Sequence, residues 1–182
     1  METLQRPVVQ EARLHAHRRS GLRGRGAGIA GSGRVLRVLS RTNMSLDGAG
    51  GRDVSLCRVA GVLNGREPEF DDVSVAAVEF SDCVGGAGIH RGHAVNTHPG
   101  GDKTFVAYEG AIRDEGATSG PVRRTFEGQW WYLAGTGKFA DIAGKGTYHG
   151  VVGSGGPVFT FEGEWTIAGA SSTPREGLSA TA

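Results

Sequence analysis

The sequence predicts an all-β protein: a single antiparallel up-and-down β-barrel of about eight strands, with a disordered N-terminal leader and C-terminal tail. Three observations predict it. Glycine supplies 32 of the 182 residues, against an average of about 7%, with no Gly-X-Y period, so it marks turns and strand bends. Gly and Pro punctuation cuts residues 47–168 into short runs rich in β-branched and aromatic residues, with no long 3.6-period segment between them. Finally, Thr-Phe-Glu-Gly-x-Trp occurs twice, at 125–130 and at 160–165.

The first element is the leader, residues 1–46. It holds nine Arg against two Glu, whereas the remaining residues hold eleven Lys or Arg against seventeen Asp or Glu. It has no aromatic residue, so its burial cannot offset its ordering entropy. A secretory signal is excluded because no apolar core of 7–15 residues is present. A transit peptide and an Arg/Gly nucleic-acid-binding segment are alternatives. The first is weakened by the scarcity of Ser, the second by the lack of aromatic residues for base stacking. Nucleic acid is therefore not the expected partner. The change of composition near "NMSLDG" raises Met44 as an alternative start. "GAGIAGSG" (26–33) echoes a phosphate-binding loop but lacks the Lys-Ser/Thr pair and a preceding strand.

Seven strand runs follow, at 53–60, 73–80, 89–96, 103–109, 122–133, 144–152 and 157–167, with a short helical turn at 138–142. In the last run, alternation puts Phe159, Phe161, Trp165 and Ile167 on one face with Gly163, and Thr160, Glu162, Glu164 and Thr166 on the other. In the run before the turn, Phe126, Trp130 and Tyr132 share a face with Gly128, opposite Glu127 and Gln129. Both copies thus present Phe-Gly-Trp inward. The glycine lets the strand bend or gives a neighbouring ring room, as a small closed barrel requires. With one strand between them, the copies run the same way. The tail, 169–182, is small and polar.

The stretch "WYLAGTGKFADIAGKGTYHG" (131–150), followed by "FEGEW", resembles the glycine-rich C-terminal part of the allene oxide cyclase-like barrel proteins. These include plant allene oxide cyclases, dirigent barrels and small bacterial proteins. The pattern is carried by Gly135, Thr136, Gly137, Phe139, Gly144 and Gly146, with "GDKTFVAYEG" (101–110) as the preceding strand. The resemblance covers roughly residues 85–168. It implies an eight-stranded antiparallel barrel with an apolar cavity, often in a homo-oligomer. In the cyclases that cavity folds a reactive fatty-acid epoxide before ring closure. No catalytic residue is carried over.

Candidate chemistry is sparse. His90, His93 and His98 with Asp102 have a metal-like composition, but His90 and His93 point to opposite faces. His90 and His98 share a face yet lie ~26 Å apart at ~3.3 Å per residue, beyond the reach of one ion. No metal and no cofactor is expected. Glu127, Glu162 and Glu164 fall opposite the aromatic stripe, where water is their partner. Glu109 is the acid–base candidate if its face turns inward. Cys57 and Cys83 lack Cys-x-x-Cys spacing and read as free, partly buried thiols. No Gly-x-Ser-x-Gly elbow is present.

The expected function is binding of one apolar small molecule in an aromatic-lined cavity, with Phe126, Trp130, Tyr132, Phe161, Trp165 and Tyr108 as lining residues. Eleven of the thirteen aromatics, all but Phe70 and Phe80, fall between 105 and 165. Small barrels of this size either fill their interior or hold one ligand. The alternatives are a cyclase or isomerase and a structural barrel with a filled core. No run approaches the ~20 apolar residues of a membrane span, and without an export signal the expected location is the cytoplasm.

Overall fold

The structure is a computed structural model that describes residues 27–46, 48, 50–115, 124–153 and 155–168. Eight strands follow in chain order: β1 (Ala27–Leu46), β2 (Arg52–Gly65), β3 (Val73–Val84), β4 (Ala87–Thr97), β5 (Lys103–Asp114), β6 (Arg124–Gly135), β7 (Ile142–Gly153) and β8 (Gly156–Ile167). Each pairs antiparallel with the next, and β8 pairs antiparallel with β1, so the sheet closes on itself. Single 3-10 turns lie at Pro68–Phe70 and Gly137–Phe139. No helix among the described residues is long and apolar enough to cross a membrane.

The fold class is the one the alternation and punctuation predict, and the described residues of each of the seven predicted runs fall on a strand in the expected order. Two boundaries are corrected. The expected leader, 1–46, includes a strand: residues 27–46 form β1, which closes the barrel. Met44 lies inside this strand, opposite Val54. The physical reason is that β1 supplies few core side chains of its own, Ile29 among them. Its inward positions from Ile29 include Gly31 and Gly33, and rings from β8 cover them. A Cβ built on Gly31 would come within 2.7 Å of Phe161 Cζ, and one on Gly33 within 2.6 Å of Phe159 Cε1. The expected helical turn at 138–142 is instead the 3-10 turn at Gly137–Phe139, and Ile142 already belongs to β7. Residues 1–26 and the tail, 169–182, lie outside the described residues.

The β3–β4 connection is the two-residue turn Gly85–Gly86, with φ of 58° and 87°. Two consecutive positive φ values are the requirement of a type I′ hairpin, which matches the twist of the flanking strands.

The two Thr-Phe-Glu-Gly-x-Trp copies lie on β6 and β8, both antiparallel to β7 and therefore parallel to each other. They are staggered by one inward position. Phe126, Gly150 and Phe159 form one row, then Gly128, Tyr148 and Phe161, then Trp130, Gly146 and Gly163. Rings of one strand therefore face glycines of another.

This stagger accumulates around the wall. Following paired residues from Ile29 through Gly163, Gly146, Trp130, Tyr108, Gly92, Glu79 and Cys57 returns to β1 at Arg41, twelve residues further along. Part of this offset comes from register shifts between Val35 and Arg37 and between Val38 and Ser40. A strongly staggered eight-stranded wall is tilted and wide enough to hold side chains or one small ligand.

The two ends of the barrel differ. One end is plugged by Phe70 and Phe139, whose rings lie 5.7 Å apart, with Trp165 edge-on to Phe70 at 5.1 Å. His98 stacks on Phe139 at 4.1 Å. Its Nδ1–H donates to Glu69 O at 2.7 Å, and its Nε2 accepts from Thr104 Oγ1 at 3.1 Å. Phe139 is 1% exposed. The opposite end, bounded by the β3–β4 turn and the start of β6, carries polar inward residues and forms the candidate site.

Candidate functional site

Four strands send polar side chains into the barrel toward the end opposite the plug. Glu79 comes from β3, His90 from β4, Tyr108 from β5 and Tyr148 from β7. His90 is only 4% exposed. Its Nδ1–H donates to Glu79 Oε2 at 3.3 Å, and its Nε2 accepts from Tyr148 Oη at 3.0 Å. Tyr108 Oη donates to the same Glu79 oxygen at 3.3 Å. The imidazole is thus bracketed by a carboxylate and a phenol, which fixes its tautomer.

Glycines let these contacts form. The Tyr148 ring reaches from β7 toward β4 across Gly128 and Gly110, and a Cβ on Gly110 would come within 2.7 Å of Tyr148 Oη. Tyr108 reaches Glu79 in the same way across Gly92 of β4, where a Cβ would meet Tyr108 Cζ at 2.5 Å. Burial pushes both phenols well above the usual tyrosine range, reinforced for Tyr108 by the Glu79 charge. They are therefore neutral donors.

The surroundings are aromatic on one side and polar on the other. Phe126 is edge-on to His90 at 5.8 Å, and Phe159 lies 6.3 Å from Phe126. Beyond Glu79 in the same row, Arg41 Nε donates to Cys57 Sγ at 3.0 Å. Ser55 and Ser81 share a hydrogen bond of 2.8 Å one inward position nearer the rim. Glu79 points into the barrel, yet 34% of its side-chain surface is exposed. Solvent therefore reaches it. Its second oxygen, Oε1, takes no hydrogen bond from a described residue.

The six expected lining residues all face inward, in or against one apolar cluster. Tyr108 and Phe126 border the polar cluster. Trp130 and Tyr132 pack on each other at 5.2 Å, Phe161 covers Gly31, and Trp165 belongs to the plug. Trp130 Nε1 donates to Thr147 O at 3.2 Å. Trp165 Nε1 is buried with no partner among the described residues. Surface depressions lie along β6, β7, β8 and β1. Gln129, Lys145, Thr147 and Glu162 are among the residues of one of them.

Glu109, the expected acid–base candidate, is exposed on the outer face. Tyr108 takes the inward position of that pair, and Glu79 is the inward carboxylate. Glu79 was readable as the one acid at an inward position of "VSVAAVEF", where Val73, Val75 and Ala77 precede it. His90 and Tyr148 carried no comparable signal, because their partners come from strands distant in sequence. His93 is exposed, and His98 lies at the plugged end. Among the described residues no three His, Cys, Asp or Glu side chains converge as a metal set. Cys57 and Cys83 are free and buried, and burial pushes the Cys83 thiol up.

These features define a class: a closed eight-stranded antiparallel barrel with an aromatic plug at one end and an inward carboxylate–imidazole–phenol cluster toward the other. The chain matches no protein-family model, no curated protein and no solved structure.

Proposed function

We propose that the barrel holds one small, largely apolar molecule, entered from the unplugged end. The observation that carries this reading is Glu79, an inward carboxylate that keeps 34% of its side-chain surface exposed. A filled interior would exclude water from it. Phe126, Phe159 and Tyr108 would contact the apolar body of the ligand, while Glu79 and its hydrogen-bonded partners would meet a polar end. Few, well-placed polar groups on an apolar lining are the usual chemistry of such sites. Trp130, Tyr132, Phe161 and Trp165 fill the deeper half and set its floor.

The eight-stranded barrel is also the architecture implied by the resemblance to allene oxide cyclase-like proteins, and kinship with them is part of this proposal. The test is a titration with 1-anilinonaphthalene-8-sulfonate, reading dye emission and quenching of tryptophan fluorescence. Saturable 1:1 binding, weakened by Phe126→Arg with the far-UV spectrum unchanged, is the expected result. An absence of saturable binding to the wild type would leave a barrel with a filled core.

A further inference from the structure

We propose that Glu79 is a general base that removes and returns a carbon-bound proton next to a carbonyl group, so that the barrel enolises or isomerises a small apolar ketone. This rests on the binding reading above and goes beyond it by naming a reaction and a substrate class.

The geometry divides the labour between the two carboxylate oxygens. Oε2 is held by two donors, His90 Nδ1–H and Tyr108 Oη–H, each at 3.3 Å. Oε1 takes no hydrogen bond from a described residue, and the side chain is reached by solvent. A base needs an unencumbered lone pair and a fixed direction, and this arrangement supplies both. His90 is in turn fixed by Tyr148, whose phenol reaches it only because Gly110 and Gly128 leave the path open. His90, Tyr108 and Tyr148 are therefore positioning residues for Glu79.

Charge that develops on the substrate oxygen also has partners. The Arg41 guanidinium lies two strands along the same row, tied to Cys57. Ser55 and Ser81 share a hydrogen bond of 2.8 Å, and Ser55 has a second, weak partner in Cys57 Sγ at 3.9 Å, so a hydroxyl proton can turn from that sulfur to an incoming oxygen. Preorganised donors of this kind stabilise an enolate oxygen without reorganisation. Phe126 and Phe159 supply the apolar contact that favours a ketone over a charged metabolite.

The step balances without a cofactor. Glu79 Oε1 takes the proton from the α-carbon. The C–H electron pair becomes the C=C bond of the enolate, and the carbonyl π pair moves to oxygen. Return of a proton to the α-carbon exchanges hydrogen with solvent. In a β,γ-unsaturated ketone, return to the γ-carbon moves the double bond into conjugation. The carboxylate is restored in either case.

The test uses 2-tetralone, an apolar ketone with activated α-hydrogens, in D2O. Loss of the α-proton signal is followed by NMR, and binding by tryptophan quenching. The wild type should accelerate exchange, and Glu79→Gln should lose that acceleration ~100-fold or more, the lower range for a general base, while still binding the ketone. Tyr108→Phe and His90→Gln should lower the maximal rate more than they change half-saturation, and this split distinguishes positioning from loss of binding. If His90→Gln fails to fold, Tyr108→Phe carries the comparison. A ketone that binds the wild type but exchanges no faster than with Glu79→Gln overturns the inference and leaves the binding reading standing. Binding of the dye but not of the ketone overturns the substrate class. If neither binds, both readings fall.

Discussion

Trp130 of the first Thr-Phe-Glu-Gly-x-Trp copy lies over Gly163 of the second. A Cβ on Gly163 would come within 2.7 Å of Trp130 Cζ2, and one on Gly146, between them, within 2.7 Å of Trp130 Cε2. The glycine of one repeat is thus the space that the tryptophan of the other fills. Gly163→Val should therefore cost about 1–3 kcal/mol, the range for overpacking, as read by urea unfolding. In a Trp130→Ala background the same substitution should cost less, because the ring is gone, but not nothing, because the Lys145 carbonyl and Gly146 Cα of β7 also face this position. Equal costs in both backgrounds would show that the two residues do not compete for one space.

Deletion of residues 1–43 should abolish the cooperative unfolding transition. It removes Ala27 to Asn43 from β1, including every residue that pairs with β8, and leaves both β8 and β2 with open edges. Circular dichroism melts of the full chain and the deletion are the measurement. A thermal midpoint within a few degrees of the full chain would mean that the barrel closes without β1.

Trp165→Ala should cost about 3–5 kcal/mol, the range for removing a large aromatic from a packed site. The ring is seated edge-on against Phe70 in the plug, at the far end from Glu79. Dye binding at the end opposite the plug should change little. A loss below about 1 kcal/mol would contradict a packed plug.

Stability should fall on mild acidification through His98. Burial lowers its proton affinity, more than the Glu69 carbonyl hydrogen bond raises it. The folded state holds this imidazole neutral, whereas the unfolded chain takes up a proton near pH 6.5. The unfolded state binds more protons as pH drops, so the stabilisation is complete above about pH 6.5 and is lost as pH falls through the lowered folded value. Urea midpoints from pH 7.5 to 5 should decline in the wild type and decline less in His98→Gln. Parallel slopes in the two proteins would assign the dependence to other groups.

The parts of this fold that show in the sequence are those whose side chains do their own packing. β6 and β8 declare themselves because Phe126, Trp130, Phe161 and Trp165 alternate with acids and polar residues, and the register bears out their inward face. β1 does not, because Gly31 and Gly33 contribute room rather than substance, and the apolar surface that covers them comes from β8, in Phe161 and Phe159. The same limit hid the site. Period-two alternation places Glu79, His90 and Tyr148 on inward faces, but only the closure and stagger of the wall bring β7 across to β4. Glu109 shows the converse: adjacency to Tyr108 in sequence guarantees the opposite face, not the same one.

The pairing of β1 with β8 stops at Arg34, whereas its pairing with β2 runs on to Leu46. Twelve residues of backbone therefore present one side without a strand partner among the described residues, flanked by Leu36, Leu39 and Met44, which are 60%, 44% and 61% exposed. Such a margin is a template on which chains stack into fibres. The register shifts after Val35 and Val38 interrupt its hydrogen-bonding rhythm, and Arg37 and Arg41 place like charges along it. Irregular strands and charged margins of this kind disfavour edge-to-edge pairing between sheets.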